Sequence, residues 1–298
     1  MARKKQRGLG KHCSIAGGLP RALDSAAEHG CTALQFFSRN PRGWAARPLL
    51  EEQADEFRAR RDELALDDVT IHTNYLVNLA ATGGQWRDMS VAAFRDELVR
   101  AAMLGADFLV VHPGSSRGAS VDEGVTACVE GVKKAADGLD LGSVTILIEN
   151  TAGQGDCIGR SYEQVAEIIA RCSDWVSIGM CLDTAHTFAA GYELISEAGF
   201  KRTMKSIRDT VGFANVRVVH FNDSKAAFGS NVDRHWHIGE GQIGPVGLGR
   251  VARYRPLAHA PLILETPIDK DHSEAWNFAR LVELAEGREF GSTVPLPT

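Results

Sequence analysis

The chain has no Cys-x-x-Cys pair, no long apolar run and no excess of basic residues. Each absence removes a class of function. The six cysteines (Cys13, Cys31, Cys128, Cys157, Cys172 and Cys181) are scattered, which excludes zinc-finger and thioredoxin-like centres and leaves reduced thiols in a core. Cys181 adjoins a metal-capable motif, but strand-like residues flank it and it reads as packing. No stretch approaches the ~20 apolar residues of a membrane span. The basic start, MARKKQRGLG, has no apolar segment behind it and does not read as a secretory signal, so a cytoplasmic protein is expected. With 33 Lys and Arg against 38 Asp and Glu, the net charge is −5. A nucleic acid would have to meet a local positive patch or bound cations rather than a basic surface.

Low-complexity linkers and internal repeats are also missing, so one domain is expected over residues 9–298, behind a basic, disordered tail at 1–8. The 298 residues are 44% hydrophobic and 24% charged, normal for a globular protein with a large core. Eight short apolar runs bounded by turns read as strands: GKHCSIA (10–16), TALQFFS (32–38), VTIHTN (69–74), FLVVHPG (108–114), VTILIEN (144–150), IGMCLDT (178–184), VRVVHFND (216–223) and LILETP (262–267). Between them PRALDSAAEH, LLEEQADEFRARRDELAL, FRDELVRAAML, YEQVAEIIARC and SEAWNFARLVELAEG carry helical spacing of apolar and charged residues. Near-continuous apolar strands suit burial on both faces. Eight of them alternating with helices predict an α/β fold, a (β/α)8 TIM barrel, with a doubly wound sheet as the alternative.

From the third strand onward the strand ends carry metal-capable residues: His72, His112, Glu149, Asp183, His220 and Glu265. In a TIM barrel those ends form the active-site face. His186, Asp233 and His235 follow just downstream. One such residue alone is more often a satisfied core or surface group; nine with the same strand-end logic read as a metal site. Imidazole and carboxylate without thiolate suit zinc, with manganese or iron as alternatives. Nine ligands exceed what one ion uses, so two or three ions are expected, the arrangement that serves hydrolysis of phosphate esters. In HFNDSKAAFGSNVDRHWHIGEG (220–241), spacing alone leaves His237 open as a ligand.

CLDTAHTFAAGYE (181–193), HFNDSKAAFGSNVDRHWHIGEGQIG (220–244), ILIENTAGQG (146–155) and LILETP (262–267) resemble the signature blocks of the endonuclease IV family. GKHCSIAGGLPRAL, IHTNYLVNLA and VVHPGS resemble its earlier blocks, so the resemblance runs over residues 9 to 286. It implies a xylose-isomerase-like TIM barrel and a DNA-repair endonuclease holding three Zn2+ ions, with Mn2+ or Fe at one site as an alternative. The substrate implied is duplex DNA with an abasic site, cut on the 5′ side to leave a 3′-hydroxyl and a 5′-deoxyribose phosphate. By the same resemblance His72, His112 and Glu149 hold one ion. Glu149, Asp183, His220 and Glu265 hold a second, and His186, Asp233 and His235 a third. Glu149 and Glu265 are also the catalytic carboxylates, Glu265 being favoured to take the proton of the attacking water. His237 and Asp223 are then not ligands, and Asp223 is expected to orient one. Arg42, Tyr75 and Leu76 fall at the family's wedge positions, which fill the gap left by an extruded nucleotide. Lys225 is expected to meet a phosphate, with a solvated lysine as the alternative. A monomer is expected.

Other signals carry less. GEGQIG (239–244) matches a dinucleotide fingerprint but sits late in the chain before Pro245, and reads as a turn. GSSRG (114–118) matches a nucleophile elbow without a separate base. A sugar isomerase of similar barrel would need only Glu149, Asp183, His220 and Glu265. A catalytically dead DNA-binding relative would lack a ligand, and none is lacking. Pro41, the Gly83–Gly84 pair of ATGGQWRDMS (81–90) and Trp236 depart from the family pattern.

Overall fold

The computed structural model describes residues 7–292. The predicted apolar runs become β1 (Leu9–Cys13), β2 (Ala33–Phe37), β3 (Asp68–His72), β4 (Phe108–Val111), β5 (Thr145–Glu149), β6 (Ile178–Asp183) and β7 (Val216–His220). A short antiparallel hairpin follows, β8 (Asp223–Ser224) with β9 (His235–Trp236), and β10 (Leu262–Leu264) is the last barrel strand. The sheet is a closed parallel barrel in the order β1-β10-β7-β6-β5-β4-β3-β2. Closure is made by β1, which aligns Leu9 with Leu262 on one side and Gly10 with Ala33 on the other. Gly10 permits it: a Cβ there would lie 2.0 Å from the Ala33 carbonyl oxygen.

Helices α1 (Leu19–Glu28), α2 (Glu51–Leu64), α3 (Gln85–Leu104), α4 (Val121–Ala136) and α5 (Tyr162–Cys172) alternate with the strands, followed by α6 (Thr184–Ala189), α7 (Glu197–Thr210), α8 (Gly244–Ala252) and α9 (Glu274–Glu286). Serine hydroxyls of Ser120, Ser161, Ser196 and Ser273 cap α4, α5, α7 and α9 by accepting the N–H three residues on. Helix α3 begins at Gln85, inside the stretch 81–90, so only residues 81–84 with the Gly83–Gly84 bend remain as loop.

Side-chain alternation along the strands decides what reaches the barrel interior. Ala33, Phe108, Val110, Leu147, Cys181, Val218 and Ile263 form one inner cluster, while Leu34, Ile71, Leu109, Ile146, Leu182 and Val219 belong to the layer packed against the helices. Two residues beyond Val110, Leu147, Cys181, Val218 and Ile263 stand His112, Glu149, Asp183, His220 and Glu265. The period of two therefore carries each of them inward, one step above an apolar plug, at the C-terminal mouth of the barrel.

Residues 1–6 of the expected tail lie outside the described residues. Arg7 is tied to the barrel, donating from Nε to the Ala260 carbonyl (2.6 Å) and from a terminal guanidinium nitrogen to that of Ala252 (2.7 Å). The Gly8 carbonyl accepts the Leu262 N–H. Among the described residues no helix is long and apolar enough to cross a membrane.

Candidate metal centre

Glu149, at the end of β5, is fully buried, and four imidazoles surround its two oxygens. Oε2 lies 3.2 Å from His72 Nε2 and 3.2 Å from His112 Nε2. Oε1 lies 3.2 Å from His186 Nδ1 and 3.1 Å from His220 Nδ1. His220 Nδ1 is also 3.1 Å from Glu265 Oε2. On the other side, His186 Nε2 meets Asp233 Oδ1 at 3.1 Å, and His235 Nε2 lies 3.5 Å from Asp183 Oδ2 and 3.7 Å from Asp233 Oδ1. All nine metal-capable residues singled out in the sequence, six at strand ends and three downstream, are brought together. Drawn from these nine residues alone, three sets have ligand atoms mutually within 4.8 Å: His72, His112 and Glu149; Glu149, Asp183, His220 and Glu265; and Asp183, His186 and His235. Asp233, on the loop between β8 and β9, extends the last set.

The hydrogen-bond network fixes which nitrogen of each ring is bare. A carbonyl can only accept, so it holds the ring proton on the nitrogen that faces it. His72 donates Nδ1–H to the Thr73 carbonyl (2.7 Å), His186 donates Nδ1–H to that of Asn150 (2.9 Å) and His235 donates Nδ1–H to that of Glu265 (3.1 Å). His220 donates Nε2–H to the Gln35 side-chain oxygen (2.7 Å). The opposite nitrogens then carry lone pairs aimed at carboxylate oxygens, an arrangement that repels unless a cation or protons lie between. Glu149 Oε1, His186 Nε2, His220 Nδ1 and His235 Nε2 are buried and have no hydrogen-bond partner among the described residues. This donor set of imidazole and carboxylate fits zinc, manganese or iron.

Protons can stand in for cations. Burial opposes charge on His220, but Cys181, Glu265 and Glu149 outweigh it and hold the ring well above its ordinary value. Burial likewise opposes charge on His186, and Asp183 and Asp233 overcome it. Glu149 is pushed up by burial and pulled further down by His112 and His220, ending well below the usual carboxylate range. Glu265 behaves in the same way, through His220 and His12. Burial lowers His112 below its ordinary value.

Asparagines orient the candidate ligands. Asn222 donates to Asp183 Oδ2 (2.7 Å) and accepts the Glu265 N–H (2.8 Å), and Asn150 accepts the Asp183 N–H (2.8 Å). Asp183 also accepts the His186 N–H (2.6 Å), capping α6. Sequence reasoning missed these, and it missed His12 and Gln35. The last two sit on the inward parity of β1 and β2, and a polar residue inside an apolar strand was the signal available.

His237 is not brought to the cluster. Its Nε2 donates to Asp269 Oδ2 (2.8 Å), and its Nδ1 accepts from the Asn277 side-chain nitrogen (3.3 Å), an amide held in place by the Ile238 N–H on its oxygen (3.0 Å). His237, Asp269 and His272 come within ligand distance of one another, but their nitrogens and oxygens are already satisfied by these bonds and by that from His272 Nδ1 to Asp269. Asp223 orients no histidine, contrary to the sequence expectation. Its two oxygens accept the backbone N–H groups of Ser224, Gly239, Gly241, Ile243 and Gly244, so it holds the GEGQIG loop closed. Burial lifts the Cys181 thiol to about 12, so it stays protonated at neutral pH, as a packing cysteine does.

A cavity of about 450 Å³ opens beside the cluster, lined by His12, Phe37, Pro41, Tyr75, Glu265 and Ile268 among others. Tyr75 is 64% exposed, with its ring edge against Phe37 at 5.1 Å and its N–H donated to the Pro41 carbonyl. Pro41 therefore joins the Arg42 loop to the Tyr75–Leu76 loop on one rim. Arg42 is exposed and Leu76 half-buried. Lys225 is exposed, its ammonium 3.8 Å from the centre of the Trp236 ring. Trp86 is exposed and pairs with Trp44 at 5.9 Å.

Residues 23–288 match the family described as a xylose isomerase-like TIM barrel. The probable endonuclease 4 of Solibacter usitatus is 42% identical over 292 residues, 97% of this chain and 99% of that protein. That of Cenarchaeum symbiosum is 40% identical over 279 residues, 93% and 99% of the two chains. The crystal structure of endonuclease IV from Thermus thermophilus superposes with a TM-score of 0.84 at 36% identity, covering 94% of this chain and 99% of that one.

Proposed function

The chain belongs to the endonuclease IV family, and from that membership we propose that it is a DNA-repair endonuclease acting on abasic sites in duplex DNA. It hydrolyses the phosphodiester on the 5′ side of the abasic sugar and leaves a 3′-hydroxyl and a 5′-deoxyribose phosphate. The observation that carries this reading is the set of bare, buried nitrogens of His186, His220 and His235 facing carboxylates, within a nine-residue convergence too large for one ion. His72, His112 and Glu149 hold one ion, Glu149, Asp183, His220 and Glu265 a second, and His186, Asp233 and His235 a third. Zinc is the ion the donors suit best, with manganese or iron at one position as the alternative; when bound, it lowers the pKa of water to about 7 and offsets phosphate charge.

The protein groups do the rest. Glu265, whose Oε1 is held by Gln35 at 2.6 Å, keeps Oε2 toward the cluster and takes the proton of the attacking water there. Glu149 joins the first two ligand sets. Tyr75 and Leu76 replace the stacking lost when the abasic nucleotide leaves the helix, with Arg42 beside them. The cavity under Tyr75, walled by His12 and Glu265, receives the extruded sugar. Lys225 meets a phosphate. A sugar isomerase would leave His72, His112, His186, Asp233 and His235 without a role.

The test is a duplex oligonucleotide with one tetrahydrofuran abasic analogue, which cannot undergo β-elimination. Cleavage on the 5′ side leaving a 3′-hydroxyl, abolished by chelation and by Glu265→Gln, is expected. No cleavage by protein carrying about three ions per chain would overturn the proposal.

A further inference from the structure

Gln35 lies between Leu34 and Phe36 in the middle of β2, fully buried, with its carboxamide turned into the barrel mouth. Its nitrogen donates to Glu265 Oε1 (2.6 Å) and lies 3.1 Å from His12 Nδ1, while its oxygen accepts from His220 Nε2 (2.7 Å). The ionised carboxylate can only accept, so the amide cannot turn over, and its oxygen must face His220. His220 therefore keeps its proton on Nε2, and Nδ1 is the atom left bare, 3.1 Å from both Glu149 Oε1 and Glu265 Oε2. The same amide binds the outer oxygen of Glu265 and leaves Oε2 facing the cluster. The second amide hydrogen goes to His12, whose ring lies 4.4 Å from that of Phe37, tilted by 53° to it, in the cavity wall. One neutral side chain thus sets the proton of one ligand and the orientation of another. A leucine would strand a buried N–H and a buried carboxylate oxygen, and a glutamate would face Glu265 with a second negative charge.

We propose that Gln35 is a positioning residue for the ion held by Glu149, Asp183, His220 and Glu265, preparing His220 and Glu265 to bind it without rearrangement. The inference rests on the metal-centre reading above. It concerns one of the three ligand sets: His72 takes its proton placement from Thr73, His186 from Asn150 and His235 from Glu265, none of them through Gln35.

The experiment strips the full-length protein of metal, reloads it with Zn2+, and counts the ions retained against chelators of graded strength, for the parent, Gln35→Leu and Gln35→Glu. 15N-histidine NMR of the loaded proteins reads the His220 ring. Loss of an outer partner of a metal ligand costs roughly 10–100-fold in affinity. Both variants should release one ion per chain at roughly 10–100-fold weaker chelation with the others unmoved, and the parent's protected Nε2–H signal should disappear in Gln35→Leu. Abasic-site cleavage should fall in kcat with KM little changed. If Gln35→Leu does not fold, Gln35→Glu, of the same volume, carries the test. Retention of every ion at parental strength in a variant would overturn the proposal. So would a weakening of all ions together in step with the unfolding midpoint of the stripped protein. A parent that binds no ions at all would instead remove the metal-centre reading itself.

Discussion

Asp223→Asn tests whether the segment from Ser224 to Gly244, within which Asp233 and His235 lie, is closed by one buried carboxylate. Oδ1 accepts Ser224 N (2.8 Å) and Ile243 N (2.9 Å), Oδ2 accepts Gly239 N (3.0 Å) and Gly241 N (3.0 Å), and Gly244 N lies 3.3 and 3.2 Å from the two. An amide replaces one oxygen by NH2, whichever way it turns, and sets donors against at least two backbone donors. Each buried N–H left unpaired costs about 1–3 kcal/mol, so the substitution should cost about 2–6 kcal/mol. That is a large part of the ~5–15 kcal/mol that folds a typical domain. Urea unfolding of the chelated protein measures it free of metal linkage, and ion counting on the loaded protein reads the loop. The ion assigned to His186, Asp233 and His235 should be lost first. A destabilisation under about 0.5 kcal/mol, the size of an ordinary surface substitution, with full ion retention would refute the reasoning.

Gly241→Ala should act on the same contact, since its Cβ would stand 2.5 Å from Asp223 Oδ1 and 2.6 Å from the Ser224 carbonyl oxygen; unfolding at parental urea would contradict this. The stripped cluster should have a pH optimum. The raised values of His186 and His220 give stability that is full below the ordinary 6.5 and lost as pH climbs through the folded values, and the depressed Glu149 and Glu265 give stability that is full above 4.5 and lost as pH falls through theirs. Metal binding needs those protons gone, so chelation should lower the unfolding midpoint less at about pH 5.5 than at about pH 8; equal drops would count against the linkage. Tyr75→Ala should weaken binding to abasic duplex by about 1–3 kcal/mol with Tyr75→Phe near parental, since stacking area matters and the hydroxyl does not; equal losses would exclude a wedge. Lys225→Ala should reduce the slope of log affinity against log salt by about 1, and an unchanged slope would remove the phosphate contact.

The barrel was legible because its strands are short apolar runs at regular spacing, and the six strand-end ligand candidates because they sit at the inward parity where those runs end. Strand β4 stops short of its predicted run for a local reason. After Val111 come Pro113, which has no N–H, and Gly114 at φ 99°, so the chain leaves the ladder as soon as His112 is delivered. Asp223 was misassigned because a carboxylate beside a ligand histidine suggests a histidine partner, whereas its actual partners are N–H groups up to 21 residues later, fixed only once the loop closes. His12 and Gln35 went unread since β1 and β2 end in no ligand of their own. Their role depends on Glu265, 230 residues beyond Gln35, which no local pattern reports.

The second ligand set draws Glu149 from β5, Asp183 from β6, His220 from β7 and Glu265 from the end of β10, the strand that slots between β7 and β1. A chain still emerging from the ribosome has every other strand before it has that one. Until β10 arrives the barrel stays open along one seam, and Glu265, Gln35 and His220 have no shared neighbourhood. The order in which the polypeptide is made thus leaves this candidate ligand set incomplete until the strand that closes the barrel has been added.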